Sequence, residues 1–202
     1  MNQEFIENLI KNGVRIIDKN SVHFLSNEIE VESEVTIEPF VVINGRVKIA
    51  SGSVIKSFSY LEDVEIGKDV TIGPFARIRG ISKIEDSSKV GNFVEIKNSN
   101  ISTNSKVSHL SYVGDVEIGE NCNIGAGVVF CNYDGVKKHR SSVGKDVFIG
   151  SNSTIISPLK IDNNSFIAAG SVINKNVEKE ELAIARSRQV NKSGYAKKIL
   201  KK

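Results

Sequence analysis

The feature that most constrains the fold is an aliphatic residue that recurs at every sixth position. Ile or Val keeps this period through residues 31–55, 66–96 and 143–173. A period of six gives each hexad one inward side chain and one corner, where Gly or another small residue relieves crowding. A single repeat of this kind cannot bury its apolar residues by itself, so successive repeats stack on one another. We therefore predict a hexapeptide β-solenoid.

The composition favours strands over helices. Along the 202 residues there are 26 Ile and 23 Val but only 7 Leu, and β-branched side chains prefer extended backbone. Three hexads close one triangular coil. We expect an all-β domain over residues 29–177, with seven or eight coils stacked at about 4.8 Å.

Three segments depart from the repeat. Residues 1–28 are predicted to form a lead-in that begins with a helix over residues 3–11, where Phe5, Ile6, Leu9 and Ile10 have helical spacing. Residues 178–202 are predicted to contain a closing helix over 179–186 and a Lys-rich tail. The hexads also break at residues 131–142, whose Asn, Asp and Gly predict a projecting loop.

Charge and hydropathy exclude two classes of partner. Five of the 27 basic residues lie in residues 192–202. The rest of the chain therefore has 22 basic and 24 acidic residues, and this slightly negative balance predicts no nucleic-acid-binding surface there. No apolar run approaches the roughly 18 residues of a membrane span, and the first residues lack the apolar core of a signal peptide. We expect a cytoplasmic location and no membrane contact.

His109 is the first candidate for chemistry, because it follows inward Val107 by two positions and a neutral imidazole accepts a proton near pH 7. Taken alone, such a histidine is more often simply solvated. The three histidines of the chain, His23, His109 and His139, lack the close spacing of zinc ligands, so we predict no metal site. Cations near His109 and in the loop suit a phosphate-bearing substrate: Arg77, Arg79, Lys97, Lys137, Lys138 and Arg140.

Longer motifs resemble one known family. They are IGPFARIR (72–79), VGNFVEIKNS (90–99), SKVSHLSYVGDVEIGENCNIGAG (105–127), CNYDGVKKHR (131–140), GKDVFIGSNS (144–153) and IAAGSVI (167–173). These strings resemble the acetyltransferase domain of the bacterial bifunctional N-acetylglucosamine-1-phosphate uridyltransferases and glucosamine-1-phosphate acetyltransferases. The resemblance implies that the solenoid is a left-handed parallel β-helix, which the usual right-handed crossover preference does not predict.

The resemblance also implies roles for individual residues. His109 matches the catalytic base that deprotonates the amine of the sugar. The positions that match contacts to the sugar phosphate are Arg79, Lys97, Tyr112, Asn123, Asn132 and Lys138. The positions that match the acetyl-CoA side of the site are Ala126, Tyr133, Ser151, Ala169 and Arg186.

The family's architecture implies further expectations. Its site lies between subunits of a homotrimer, its co-substrate is acetyl-CoA, and its acetyl transfer requires no metal. No uridyltransferase half is recognised here, so uridyl transfer would need a separate polypeptide. Gly80 stands where the family usually has Pro, which would loosen Arg79, and Tyr195 replaces a tail Trp.

Three functional interpretations remain at this point. The first is acetylation of glucosamine 1-phosphate, a step toward UDP-N-acetylglucosamine. The second is acetylation of a different amino or hydroxy sugar, because hexapeptide transferases share the donor site and vary the acceptor pocket. The third is a non-catalytic β-helix scaffold, which the joint presence of base, cations and donor contacts disfavours.

Overall fold

The computed structural model describes residues 3–200, which form a left-handed parallel β-helix of about nine coils with two short helices. The elements in chain order are α1 (Gln3–Lys11), β1 (Arg15–Ile16), β2 (His23–Phe24), β3 (Ile29–Val31), β4 (Thr36–Ile37), β5 (Val42–Ile49), β6 (Val54–Ile55), β7 (Tyr60–Ile66), β8 (Thr71–Ile72), β9 (Arg77–Arg79), β10 (Ser82–Ile84), β11 (Lys89–Asn92), β12 (Glu95–Lys97), β13 (Asn100–Ile101), β14 (Lys106–His109), β15 (Tyr112–Gly114), β16 (Val116–Ile118), β17 (Asn123–Ile124), β18 (Val129–Cys131), β19 (Ser141–Val143), β20 (Phe148–Ile149), β21 (Thr154–Ile156), β22 (Lys160–Ile161), β23 (Phe166–Ile167), β24 (Val172–Ile173), β25 (Leu182–Ala183) and α2 (Tyr195–Ile199).

Each coil contributes a strand to each of three faces. The first face is a parallel sheet in the order β1-β4-β6-β8-β11-β14-β17-β20-β23-β25. The second runs β2-β5-β7-β9-β12-β15-β18-β21-β24, and the third runs β3-β5-β7-β10-β13-β16-β19-β22. The strands β5 and β7 continue around the corner between the second and third faces and join these two into one sheet.

Ladders of aliphatic side chains fill the interior, as the hexad period predicts. On the second face Leu61, Ile78, Ile96 and Val113 lie in register in successive coils, and all four are 0% exposed. Burial of each such side chain stabilises the fold by about 1.5–3 kcal/mol. Gly125 shows how closely the coils stack, because a Cβ there would lie 2.6 Å from the Ser151 nitrogen.

The corner between the first and second faces, here called the first corner, carries an exposed aromatic ridge. Phe40, Phe58, Phe75 and Phe93 adopt left-handed backbone there, with ring centroids 4.8–5.2 Å apart and nearly parallel planes. Each ring is 45–56% exposed, and Leu110 continues the ridge into the next coil. Such a row of solvated aromatic rings is an unusual surface for a protein that acts as a monomer.

The structure corrects the predicted ends of the solenoid. The first coil begins before residue 29, because β1 pairs with β4 and β2 pairs with β5. The helix predicted over residues 179–186 is wrong: β25 extends the first face by pairing with β23, and the C-terminal helix is α2 instead. The open sheet edge outweighs the helical propensity of this segment. The helix predicted over residues 3–11 is confirmed as α1.

The projecting loop leaves the seventh coil between β18 and β19. It replaces the corner between the second and third faces, here called the second corner, which Asn98 and Asp115 form in the coils below with left-handed backbone. Its last two predicted residues, 141 and 142, belong to β19, where Ser141 is 3% exposed. The excursion therefore spans residues 132–140.

Candidate functional site

His109 ends β14 at the first corner, with its side chain exposed to solvent. Asn92 lies directly beneath it in the preceding coil, and Asn92 Oδ1 is 2.7 Å from His109 Nδ1. Because an amide oxygen only accepts, this hydrogen bond places the ring proton on Nδ1 and leaves the Nε2 lone pair available. In this tautomer Nε2 is the ring nitrogen that can accept a proton. No feature of the hexad pattern singles out Asn92.

A column of small residues rises from His109 along the first corner. The carbonyl of His109 accepts from Gly127, that of Ala126 from Asn152, and that of Ser151 from Gly170. Ala126, Ser151 and Ala169 therefore occupy the position of His109 in the next three coils, and Ala169 lies about 14 Å above it at the standard strand spacing. We call these three residues the small-residue column. Within residues 3–200 the N–H of Ala126 has no acceptor.

Three cations gather on the second face and the loop. Arg79 and Lys97 are neighbours in the register of β9 and β12, and the loop brings Lys138 against Lys97. We call these three the cation cluster. The ammonium of Lys138, followed by burial, lowers the pKa of Lys97, while the carboxylate of Asp115 opposes this shift. Like charges held this close favour the binding of an anion.

Arg140 and Arg77, two of the other predicted cations, have partners outside this cluster. Arg140 pairs with Glu117 through its guanidinium, and Arg77 lies over the ring of Tyr60. Despite Gly80 beside it, Arg79 is held by its Nε, which donates to Glu95 Oε1 at 2.7 Å.

Asp115 lies beneath the loop and is only 6% exposed. Its Oδ1 accepts from Asn98 Nδ2 at 2.6 Å, its Oδ2 accepts from Asn132 Nδ2 at 2.5 Å, and Lys97 Nζ lies 3.9 Å from Oδ2. Burial alone would raise the pKa of Asp115, but the two amide hydrogen bonds and the nearby ammonium groups bring it below its usual range. This carboxylate could not be recognised as a site residue from the sequence pattern, because Asp is an ordinary residue at a left-handed corner.

Tyr112 and Asn132 meet over Gly114. Asn132 Nδ2 lies 3.4 Å from the Tyr112 hydroxyl, and a Cβ on Gly114 would stand 2.5 Å from that hydroxyl and 2.7 Å from the amide nitrogen. Only glycine leaves room for both side chains. The structure thereby brings these two predicted contacts together beside Lys97, which pairs with Gly114 in the register of β12 and β15.

The loop is a small hairpin with its own hydrogen bonds. Tyr133 and Lys138 form an antiparallel bridge, and the exposed Tyr133 hydroxyl donates to the Gly135 carbonyl at 2.7 Å. Asp134 Oδ1 accepts from the N–H groups of Val136 and Lys137, and Oδ2 lies 2.6 Å from His139 Nε2. The bond to His139, followed by those two backbone bonds, lowers the pKa of Asp134 strongly.

Two predicted residues lie apart from the rest in a single chain. Asn123 is on the first face, beside Lys106 and Phe148 rather than at the first corner. Arg186 is an exposed residue at the top of the solenoid, next to Ala185, which accepts from the N–H of Val172. The three histidines do not converge either, since His23 is in the first coil, His109 in the sixth and His139 in the loop.

Comparisons with known proteins agree with this architecture. The family model "Bacterial transferase hexapeptide (six repeats)" matches residues 140–175, and "Hexapeptide repeat of succinyl-transferase" matches residues 112–137. The chain is 47% identical over 191 residues to the bifunctional protein GlmU of Bartonella quintana and 50% identical to that of Bartonella bacilliformis. Each alignment covers 95% of this chain but 42% of the relative, so the chain spans about two fifths of those proteins.

A solved structure shares the fold. The crystal structure of a UDP-N-acetylglucosamine acyltransferase superposes with a TM-score of 0.58 at 18% identity, covering 85% of this chain and 71% of the other. Within residues 3–200, neither helix is long and apolar enough to cross a membrane.

Proposed function

Because this chain belongs to the hexapeptide-repeat acyltransferases, we propose that it transfers the acetyl group of acetyl-CoA to the amine of glucosamine 1-phosphate. The product is N-acetylglucosamine 1-phosphate. The observation that supports this proposal most is the order of the groups. His109, with Nδ1 bound to Asn92, stands at the first corner below the small-residue column, and Tyr112 and the cation cluster follow along the second face. A base and an open column for an elongated thioester thus lie at the first corner, and an anion site lies at the opposite end of the second face.

Each group has a part in the reaction. The cation cluster binds the sugar phosphate, and Tyr112 and Asn132 contact the sugar, so that the amine faces His109. The amine nitrogen attacks the thioester carbonyl while Nε2 takes its proton. The N–H of Ala126, which has no acceptor within residues 3–200, donates to the developing oxyanion. Collapse of the tetrahedral intermediate breaks the C–S bond, and CoA leaves as the thiolate, which His109 can protonate.

The donor would extend along the small-residue column. Ala126, Ser151 and Ala169 leave the first corner open for about 14 Å above His109, which suits the pantetheine arm of CoA. Arg186 at the top of the solenoid, together with Tyr133 of the loop, supplies the remaining donor contacts.

The active form is proposed to be a homotrimer. A corner of a triangular prism is convex, so one chain supplies a ridge rather than a cleft, and substrates held there need a second wall. The aromatic ridge runs along this corner and ends at Leu110 beside His109. A second copy related by a rotation axis parallel to the solenoid axis would cover it, and a threefold rotation of this kind closes into a ring. Asn123 and Arg186 would then reach a site on a neighbouring subunit.

The test is release of free thiol from acetyl-CoA with a panel of acceptors. It compares glucosamine 1-phosphate, glucosamine 6-phosphate, glucosamine and nucleotide-linked amino sugars, with mass analysis of the products and His109→Ala as control. We expect glucosamine 1-phosphate to have the highest kcat/KM. A higher kcat/KM with another amino or hydroxy sugar would identify that sugar as the acceptor instead. Absence of turnover with every acceptor would favour the scaffold interpretation.

A further inference from the structure

Asp115 is connected to both ends of the projecting loop. Its carboxylate accepts from Asn132 at the start of the loop, and its backbone carbonyl accepts from the N–H of Ser141 at the end, at 3.1 Å. The neck between these points is closed by His139, whose N–H donates to the Asn132 carbonyl at 2.7 Å. One residue of the sixth coil thus fixes where the loop leaves and rejoins the seventh.

The same carboxylate reaches the cation cluster. Lys97 Nζ lies 3.9 Å from Asp115 Oδ2, and the Asp115 N–H donates to the Lys97 carbonyl at 2.9 Å. Lys97 is in turn beside Lys138 of the loop. Asp115 therefore contacts the solenoid part of the anion site directly and sets the position of the loop part through Asn132.

A buried negative charge is an unexpected neighbour for an anion site. Taking a carboxylate out of water costs free energy, and its charge repels a bound phosphate. The cost of burial is offset by two amide hydrogen bonds and one ammonium group. The repulsion of phosphate is not offset by these contacts, so the geometry requires another reason for a carboxylate at this position.

We propose that Asp115 is the positioning residue of the phosphate site, holding Lys97 and the Asn132–Lys138 side of the loop at the separation that a sugar phosphate needs. This inference rests on the proposed acetyl transfer. It predicts a change in phosphate affinity on neutralising Asp115 that is opposite to the change expected from charge repulsion alone. If Asp115 acted only through its charge, neutralising it would strengthen phosphate binding; if it positions the cations, neutralising it weakens phosphate binding.

The decisive variant is Asp115→Asn, with Asp63→Asn as its matched control. Asp63 also lies at the second corner with left-handed backbone, φ 50° against 54°, but it accepts from the N–H of Arg46 and is remote from the loop. Asn tolerates this conformation, so neither change strains the corner. In Asp115→Asn, an NH₂ group faces the amide donors of Asn98 and Asn132 in place of at least one acceptor.

The readout is the split between the two Michaelis constants. Loss of a charge-assisted hydrogen bond weakens an interaction about 10- to 100-fold, so we expect the KM for glucosamine 1-phosphate to rise by about that factor in Asp115→Asn. The KM for acetyl-CoA should stay within about twofold, and Asp63→Asn should match the wild type in both. A KM for glucosamine 1-phosphate that falls or stays unchanged, or a rise of both constants together, overturns the proposal.

The role of Asp115 can also be tested with a second variant and with a second ligand. If Asp115→Asn does not fold, Asn98→Gly removes one donor to the carboxylate while keeping the left-handed corner, and the same selective rise in KM is expected at about 3- to 10-fold. If the wild type acetylates no acceptor, the proposed function fails, and the affinity for inorganic phosphate decides about Asp115 alone. Weaker phosphate binding in Asp115→Asn than in Asp63→Asn supports the positioning role, and equal or stronger binding overturns it.

Discussion

The hydrogen bond between Asn92 and His109 predicts a defined contribution to turnover. Substituting Asn92→Ala removes the 2.7 Å contact that holds the proton on Nδ1, while the imidazole itself remains. A hydrogen bond of this kind contributes about 0.5–1.5 kcal/mol, so kcat should fall about 2- to 10-fold. His109→Ala removes the base and should lower kcat about 10²- to 10⁴-fold, with little effect on stability because the side chain is exposed.

The double variant tests whether Asn92 acts through His109. If it does, Asn92→Ala has no further effect once His109 is Ala, because residues that act as a unit are not additive. Thiol release at saturating substrates measures all three variants, and Asn100→Ala, on β13 of the third face in the same coil, serves as control. The reasoning is refuted if Asn92→Ala matches the wild type, or if it lowers kcat by the same factor in both backgrounds.

Four further outcomes follow from the geometry. The KM for glucosamine 1-phosphate should rise as the pH increases through the lowered pKa of Lys97, because phosphate binds the charged ammonium. Lys138→Gln should move that rise to higher pH, and an unchanged pH profile would contradict the explanation by like charges. Arg186→Ala should weaken acetyl-CoA binding by about 1.5–3 kcal/mol without changing the acceptor KM, and an unchanged donor KM would show that Arg186 makes no such contact. Phe75→Asp should give monomers in light scattering and no thiol release in the activity assay. An active monomer would refute the trimeric site. Ile96→Ala should cost about 2–5 kcal/mol in denaturant unfolding, because Ile96 is 0% exposed between Ile78 and Val113, and a loss below about 1 kcal/mol would contradict the packing described.

The hexad period predicted the faces and the core because inward Ile and Val are a direct consequence of the fold. It failed at the ends for a physical reason. Residues 179–186 contain good helix formers, yet β25 satisfies backbone groups that β23 would otherwise leave at an open edge. In the first coil the spacing between inward Val14 and Ile29 departs from multiples of six, so β1 and β2 have no visible repeat.

The candidate site was predictable only in part, because a solenoid brings together residues one coil apart. His109 could be proposed as a base from its motif, but its partner Asn92 is 17 residues earlier and becomes visible only through the pairing of β11 with β14. The small-residue column is spread in the same way over three coils. Local motifs therefore point to the residues proposed to react more readily than to the residues that would orient them.

Asp115 illustrates why orienting residues escape a sequence pattern. Asp63 and Asp115 occupy the same corner with nearly the same backbone conformation, and the local sequence differs mainly in Gly114, which stands where the other coil has Glu62. The two residues also differ in what lies above them. Above Asp63 the corner holds two residues, Gly80 and Ile81, whereas above Asp115 it is replaced by the loop, and Asn132 and Ser141 both donate to Asp115. Asp115 thus acquires its proposed role because residues 132–140 stand above it where the coil below has a single corner residue.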